Sequence, residues 1–383
     1  MNIFSHRLNF TFALIFSIFL FGEAYLISVY NIDILNYIVI LFLLISLFFF
    51  DKINYTVKTN IRILIAAIFL LIISSLFWSS FYNVSSYISI IIAFIAHSFY
   101  RESFKKIFAL LLIFNLFLSF YEYFTNSYIF DSKLFDDFTT NETIIDRKFS
   151  GGLLQVFRAK GMFYGPLSLG AFTISVCFLN YKNFIYIFSS LMICFFANHR
   201  LGFLVLSILF LINLFKTNKI KLSNFIYFIF SIAIFLFFVG ISENLLITIQ
   251  RLSNTLNVSS SENIERINFW IAAINQFINY DFSNFLFGDN GYFKIIYGNN
   301  PESGWLSLLV DNGIFGFFLY LFSLFYISIQ SLRKQSIDIF VVTILIFLCM
   351  SLFTFHLSAV SSLMYWFVIF ELITFLDKKT ISL

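Results

Sequence analysis

The stretch GWLSLLVDNGIFGFFLYLFSLFYISI, residues 304–329, decides the fold, because it carries a single charge, Asp311, along its whole length. A helix of about 17–25 apolar residues crosses the ~30 Å hydrocarbon layer of a bilayer, and a run this long is rarely needed inside a soluble core. Runs of the same kind recur on both sides of it. The clearest are Leu8 to Val29, Ile32 to Phe50, Ile63 to Ser80, Val84 to Tyr100, Ile107 to Phe124, Met162 to Tyr181 and Leu222 to Gly240. Weaker ones are Asn183 to Ala197 with Leu201 to Phe215, which reads as a short helical hairpin, and Ile339 to Thr354 with His356 to Phe375. The pattern predicts an all-α fold: one integral-membrane domain over residues 1–383, a polytopic membrane helix bundle of about 12 transmembrane helices.

Composition agrees. With 60% hydrophobic residues, 11% charged and a mean hydropathy of +0.91, the chain lacks the polar surface that water requires, so lipid is its main solvent. The excess of Phe and Ile carries no functional reading, since these are interchangeable lipid-facing residues. Cys177, Cys194 and Cys349 all fall inside apolar spans, which predicts packing roles and neither a disulfide framework nor a metal centre.

A net charge of +4 would suit a nucleic-acid partner, but the positions of the basic residues point elsewhere. With the N-terminus in the cytoplasm, fifteen of the 24 Lys and Arg fall in short cytoplasmic segments, among them Lys52, Arg101, Lys105, Lys106, Lys219, Arg333, Lys334, Lys378 and Lys379. Four acidic residues accompany them, whereas the opposite side holds nine basic and about thirteen acidic residues over far more chain. This is the positive-inside pattern, with both termini cytoplasmic. The first apolar run has no small-residue cleavage site and contains Glu23, so it is expected to stay as an anchor.

Polar chain is concentrated in two outer segments, residues 125–161 and the largest, residues 241–303. Loops of this length usually carry function. In the larger, Ser259 lies three residues before Glu262 in capping-box spacing, and Ile264, Ile267, Ile271, Ile274 and Ile278 follow at helical intervals. That predicts an amphipathic helix resting on the membrane or on the bundle. Tyr292, Phe293, Tyr297 and Trp305 follow; such rings stack on sugars or sit at headgroup level.

No Gly-rich loop ending in Lys-Ser/Thr, His-Glu-x-x-His, Gly-x-Ser-x-Gly or Asp-x-Asp signature is present, so the sequence offers no support for ATP, metal or other cofactor chemistry. It contains instead an ordered series of short patterns. The first is Arg158-Ala-Lys-Gly161-Met-Phe-Tyr-Gly-Pro166-Leu-Ser-Leu-Gly170, and the second Asn198-His199-Arg200-Leu201-Gly202 at the tip of the hairpin. The third is Glu265-Arg266-Ile-Asn-Phe-Trp270 with Phe287-Gly288-Asp-Asn-Gly291. The last is Pro301-Glu302-Ser303-Gly304-Trp305, leading to Asp311-Asn-Gly313-Ile-Phe-Gly316.

In this order, and with a large outer loop between the ninth and tenth spans, the patterns resemble the O-antigen polymerase and ligase superfamily of bacterial membrane glycosyltransferases. The match covers roughly residues 150–330; the first 150 residues match by hydropathy alone. Leu167 stands where the family usually has Asn, His199 where it has Ser, and the glycines of the third pattern are one residue further apart.

The resemblance implies a GT-C-like helix bundle in the bacterial inner membrane and a donor saccharide carried on undecaprenyl diphosphate. It also implies a flippase and a chain-length regulator as partners, and no nucleic acid. Departure of the diphosphate develops negative charge, which guanidinium groups match with paired hydrogen bonds. Arg200 is the first candidate, because its flanking helices are only about 15 residues long and would hold it below the membrane surface. Arg266 is expected beside it as a catalytic cation, with Arg158, Arg251, Trp270 and Trp305 binding substrate. Glu302 fits a general base for the acceptor hydroxyl, ahead of His199 and His356.

The expected activity is polymerisation of lipid-linked repeat units of O-antigen or capsule. A ligase acting on lipid A core is the nearest alternative, and Glu302 stands where ligases of the superfamily have His. A flippase or transporter would place charge near the midplane, whereas the acids within spans (Glu23, Glu122, Glu371) all lie near span ends.

Overall fold

The computed structural model describes residues 58–77, 85–129, 158–163, 165–216, 261–352 and 359–381. Every regular element among them is a helix: α1 (Lys58–Phe77), α2 (Ser85–Thr125), α3 (Pro166–Leu179), α4 (Phe184–Phe196), α5 (Arg200–Lys216), α6 (Ser261–Ile278), α7 (Phe282–Phe287), α8 (Tyr292–Tyr297), α9 (Gly304–Arg333), α10 (Ile337–Leu352) and α11 (Ala359–Ile381). Among the described residues, three stretches are long and apolar enough to cross a membrane: Thr59–Leu76, Ser86–Thr125 and Gly304–Arg333. Shorter apolar helices cover Pro166–Leu179, Phe184–Phe196, Arg200–Asn213 and Ile337–Ser351. The runs expected at 8–29, 32–50 and 222–240, and Arg251, Ser259 and His356, lie outside the described residues.

Two compact units divide the chain, Met1–Leu111 with Arg266–Leu383, and Leu112–Glu265. In the first, α9 is the hub and packs against α1, α7, α8, α10 and α11. Helix α11 is buried on every side from Ser361 to Thr374, as a helix apolar all round must be. Its Tyr365 and Trp366 rings meet Tyr320 of α9 at 5.1 and 4.7 Å, and Phe367 meets Phe108 at 5.3 Å.

One expectation changes here. Residues 101–106 read as a cytoplasmic joint between the spans 84–100 and 107–124; two helices do meet there, at a kink where Tyr100 leaves helical geometry (φ −126°, ψ 17°), but residues 101–106 are themselves helical. The reason is a partner on α11. His97, Arg101 and Lys105 recur at four-residue intervals on one face and converge on buried Glu371. Arg101 Nε and a terminal guanidinium nitrogen donate to its two oxygens at 2.5 and 2.6 Å, with Lys105 Nζ at 3.2 Å and His97 Nε2 at 3.0 Å.

In the second unit, α3, α4 and α5 pack pairwise. The hairpin expected over 183–197 and 201–215 forms as α4 and α5. Asn183 caps α4 by accepting from the Ile185 N–H at 3.1 Å, and Pro166 opens α3, where its missing N–H costs nothing.

Candidate functional site

In the first unit the site is built on a break in α9. Gly313 has φ 63° and ψ −167°, a conformation open essentially to glycine alone, so the helix cannot run through it regularly. Near the break, the Val310 carbonyl accepts from the Asp289 N–H at 2.9 Å and from the Tyr280 hydroxyl at 3.0 Å, and Gln276 in turn donates to Tyr280 at 2.8 Å. Asp311 turns back to accept from the Gly291 N–H at 3.1 Å. Gly288, at φ 78°, lies directly on the Asp311–Asn312 backbone, and a Cβ at Gly288 or Gly313 would overlap backbone atoms of the other segment. The two glycine-bearing patterns of the sequence are thus the two halves of one interlock. Burial pushes the Tyr280 phenol up, so it stays a donor; burial, and then the charge of Asp281, also raises the Asp289 carboxyl above its ordinary value.

This platform presents Arg266 and Glu302 to each other. The guanidinium Nε–H donates to Glu302 Oε2 at 2.8 Å, and both side chains keep about a third of their surface exposed (31% and 36%). Asn299 Nδ2 makes a longer contact, 3.3 Å, to Glu302 Oε1. Glu302 sits at φ 55°, in the left-handed region that non-glycine residues seldom occupy, just before the residue that opens α9. Trp270 lies one turn beyond Arg266 on α6, and Trp305 three residues beyond Glu302. Each holds its indole N–H shielded from solvent with no acceptor among the described residues. Trp305 packs against Phe317 and Phe347 at 5.5 and 5.3 Å.

Arg158 and Arg200 belong to the second unit. Residues 158–163 are pinned along their backbone: Ala159 N–H to the Phe196 carbonyl at 3.1 Å, Lys160 and Gly161 N–H to Glu122 Oε2 at 2.9 and 2.8 Å, and Met162 N–H to Asn115 Oδ1 at 3.0 Å. Arg158 Nε donates to the Ala197 carbonyl at 3.2 Å, in the turn that carries Arg200, and Lys160 Nζ lies 4.6 Å over the Tyr128 ring. In that turn Asn198 has φ 48° and is 3% exposed, and both polar atoms of its side chain lack a partner among the described residues. His199 caps α5, its Nδ1 accepting from the Gly202 N–H at 2.9 Å, and its ring fills the space left by Gly170 and Gly202. Arg200 occupies the first position of α5, where the helix dipole disfavours a cation. Three basic residues, a helix N-terminus and an orphaned amide on two hydrogen-bonded segments can together hold an anion.

Of the predicted residues, the fold joins Arg266 with Glu302 and carries Trp270 and Trp305 on the same two segments; it joins Arg158 to the turn bearing Arg200. Glu122, Asn115 and Asn198 were not foreseen. Two of them had a local signal: Asn198 its place in Asn198-His199-Arg200, and Glu122 its place as an acid within an apolar span. Among cysteine, histidine and acidic side chains of the described residues, no group of three or more could hold a metal ion. Compared with known proteins, the chain matches no family model and no curated protein.

Proposed function

We propose that the chain is a bacterial inner-membrane glycosyltransferase of about twelve spans, termini in the cytoplasm. It would extend an O-antigen or capsular polymer from repeat units carried on undecaprenyl diphosphate at the outer face of the membrane. The observation that carries this reading is the Arg266–Glu302 pair at the start of an apolar helix of membrane-crossing length, with two orphaned indole donors on the same segments.

In the reaction, an acceptor sugar hydroxyl attacks the anomeric carbon of the donor while the bond to the diphosphate oxygen breaks. The hydroxyl proton passes to Glu302, and the electron pair leaves with the lipid diphosphate, inverting the anomeric centre. The contact to Glu302 uses Arg266 Nε alone, so the terminal nitrogens face no competition from that carboxylate for a phosphate. By itself, the Arg158–Arg200 segment offers guanidinium groups of the kind a phosphate takes, and the Trp270 and Trp305 N–H groups suit sugar hydroxyl oxygens.

The test is incubation of the purified protein in nanodiscs with a lipid-linked repeat unit, the products resolved by length. Ladders of longer oligomers are expected, and Glu302→Gln should slow their appearance on the order of 10²–10⁴-fold, the contribution typical of a general base. Unchanged substrate in a preparation that remains folded would end the polymerase reading. Transfer of preformed polymer to lipid A core, without chain extension, would replace it with the ligase one.

A further inference from the structure

Helix α6 has two apolar faces, and among the described residues only one of them is packed. Phe269, Ala272, Ala273 and Phe277 pack with Phe293 of α8 and with Leu306 and Val310 of α9. The isoleucines that announced the helix in the sequence lie elsewhere: Ile271, Ile274 and Ile278, spaced i, i+3, i+7, are 52%, 47% and 70% exposed. They form a narrow aliphatic stripe bordered by the exposed amides of Asn268, Asn275 and Asn279.

The length of α9 says what covers it. Its 30 residues exceed the ~20 that span the ~30 Å hydrocarbon layer. Counting a membrane's thickness back from the basic end at Arg333 and Lys334 reaches Ile314, directly after the break at Gly313. The segment past the break turns Phe315, Phe318, Phe322, Phe325 and Leu332 outward, as lipid requires. The segment before it buries Ser307, Asp311 and Asn312, polar groups suited to the interface. Helix α6 is packed on Leu306 and Val310, that is, on this interfacial arm.

We infer that α6 lies at the lipid surface with Ile271, Ile274 and Ile278 immersed in the boundary between headgroups and acyl chains. Interfacial helices of this type insert their apolar face about 5–10 Å. The stripe lacks the Trp, Tyr and Arg that anchor protein–protein interfaces, and the only basic residue of α6 is Arg266, already paired with Glu302. Seating therefore comes from apolar area and needs no anionic lipid. The inference holds whichever reaction the protein performs; its consequence is that Arg266, on the same helix, stands at the depth of a lipid phosphate.

The experiment uses the full chain in phosphatidylcholine nanodiscs. Single cysteines at Ile274→Cys and Ile278→Cys, with Asn268→Cys as the comparison, carry an environment-sensitive fluorophore; Cys177, Cys194 and Cys349 are buried. Lipids bearing a nitroxide high on the acyl chain should quench positions 274 and 278 strongly. Aqueous iodide should reach them several-fold less than position 268, with no change between low and high salt. Iodide access equal to that of position 268, without nitroxide quenching, would overturn the inference in favour of a water-facing stripe. Protection from both quenchers, with crosslinking to a second copy or another protein, would overturn it in favour of a protein partner.

Discussion

Among the described residues, Glu371 is the one acidic group that faces His97, Arg101 and Lys105 together, so its replacement by Gln tests whether the α2–α11 contact is held by charge. The side chains of Arg101, Lys105 and Glu371 are 19%, 25% and 6% exposed, which makes this a largely desolvated cluster. Removing one partner of a buried pair costs about 3–5 kcal/mol, against ~0.2–1 kcal/mol for an exposed one. Glu102, 3.6 Å from Arg101 but 64% exposed, offers partial compensation. The expectation for Glu371→Gln is therefore the lower end, about 3 kcal/mol, or roughly a hundredfold in the folded-to-unfolded ratio. Unfolding by SDS in mixed micelles, followed by tryptophan fluorescence, measures it, since Trp366 lies on the same helix as Glu371. Replacing Arg101, Lys105 and Glu371 together by Met should recover most of the loss, because apolar replacement of a complete buried cluster is often neutral. A cost below about 1 kcal/mol for the single variant, or a triple variant as unstable as the single, would refute the reasoning.

Three further outcomes follow from the sites. Gly313→Ala should destabilise by about 3 kcal/mol or more, through backbone strain and overlap with the Leu286–Gly288 backbone, and should abolish any activity that depends on the Arg266–Glu302 platform; unaltered unfolding would mean that α9 straightens without loss. Glu122→Ala removes the acceptor of two backbone N–H groups and should cost about 2–4 kcal/mol, read as faster proteolysis near residues 158–163, while Glu122→Gln keeps an acceptor and should lose less. Asp289, whose carboxyl is raised by burial, disfavours the folded state increasingly as pH climbs from the ordinary carboxylate value to the raised one, and in full above it, because the unfolded chain releases the proton more readily. Asp289→Asn should thus exceed the parent in thermal stability at pH 8, the difference closing as pH falls toward 4; a constant difference would assign the effect to lost contacts instead.

Much of the fold was legible because helix formation and hydropathy are local. The runs at 304–329, 339–354 and 183–215 became α9, α10 and the α4–α5 hairpin with small shifts, and the isoleucine period located α6. The same period left open whether the helix rests on the membrane or on the bundle. It marked the exposed stripe, whereas Ala273 and Phe277, on a different face, join α8 and α9. Residues 101–106 misled for a related reason: charge density reads as a loop unless a carboxylate stands opposite, and Glu371 lies about 270 residues further on.

At the site, the sequence determined which groups were candidates: cations and an acid beside apolar helices, glycines at odd spacings, and tryptophans at positions 270 and 305. Tertiary structure decided which of them meet. Arg266 finds Glu302 across 36 positions, Glu122 reaches Gly161 across 39, and Gly288 seats on the backbone at Asp311 because Gly313 breaks α9 there. A residue's own type and spacing fix its helix and its hydropathy, since those are interactions within a few turns. Partnership between distant carboxylates, guanidiniums and bare backbone depends on the path of the whole chain, which no local pattern records.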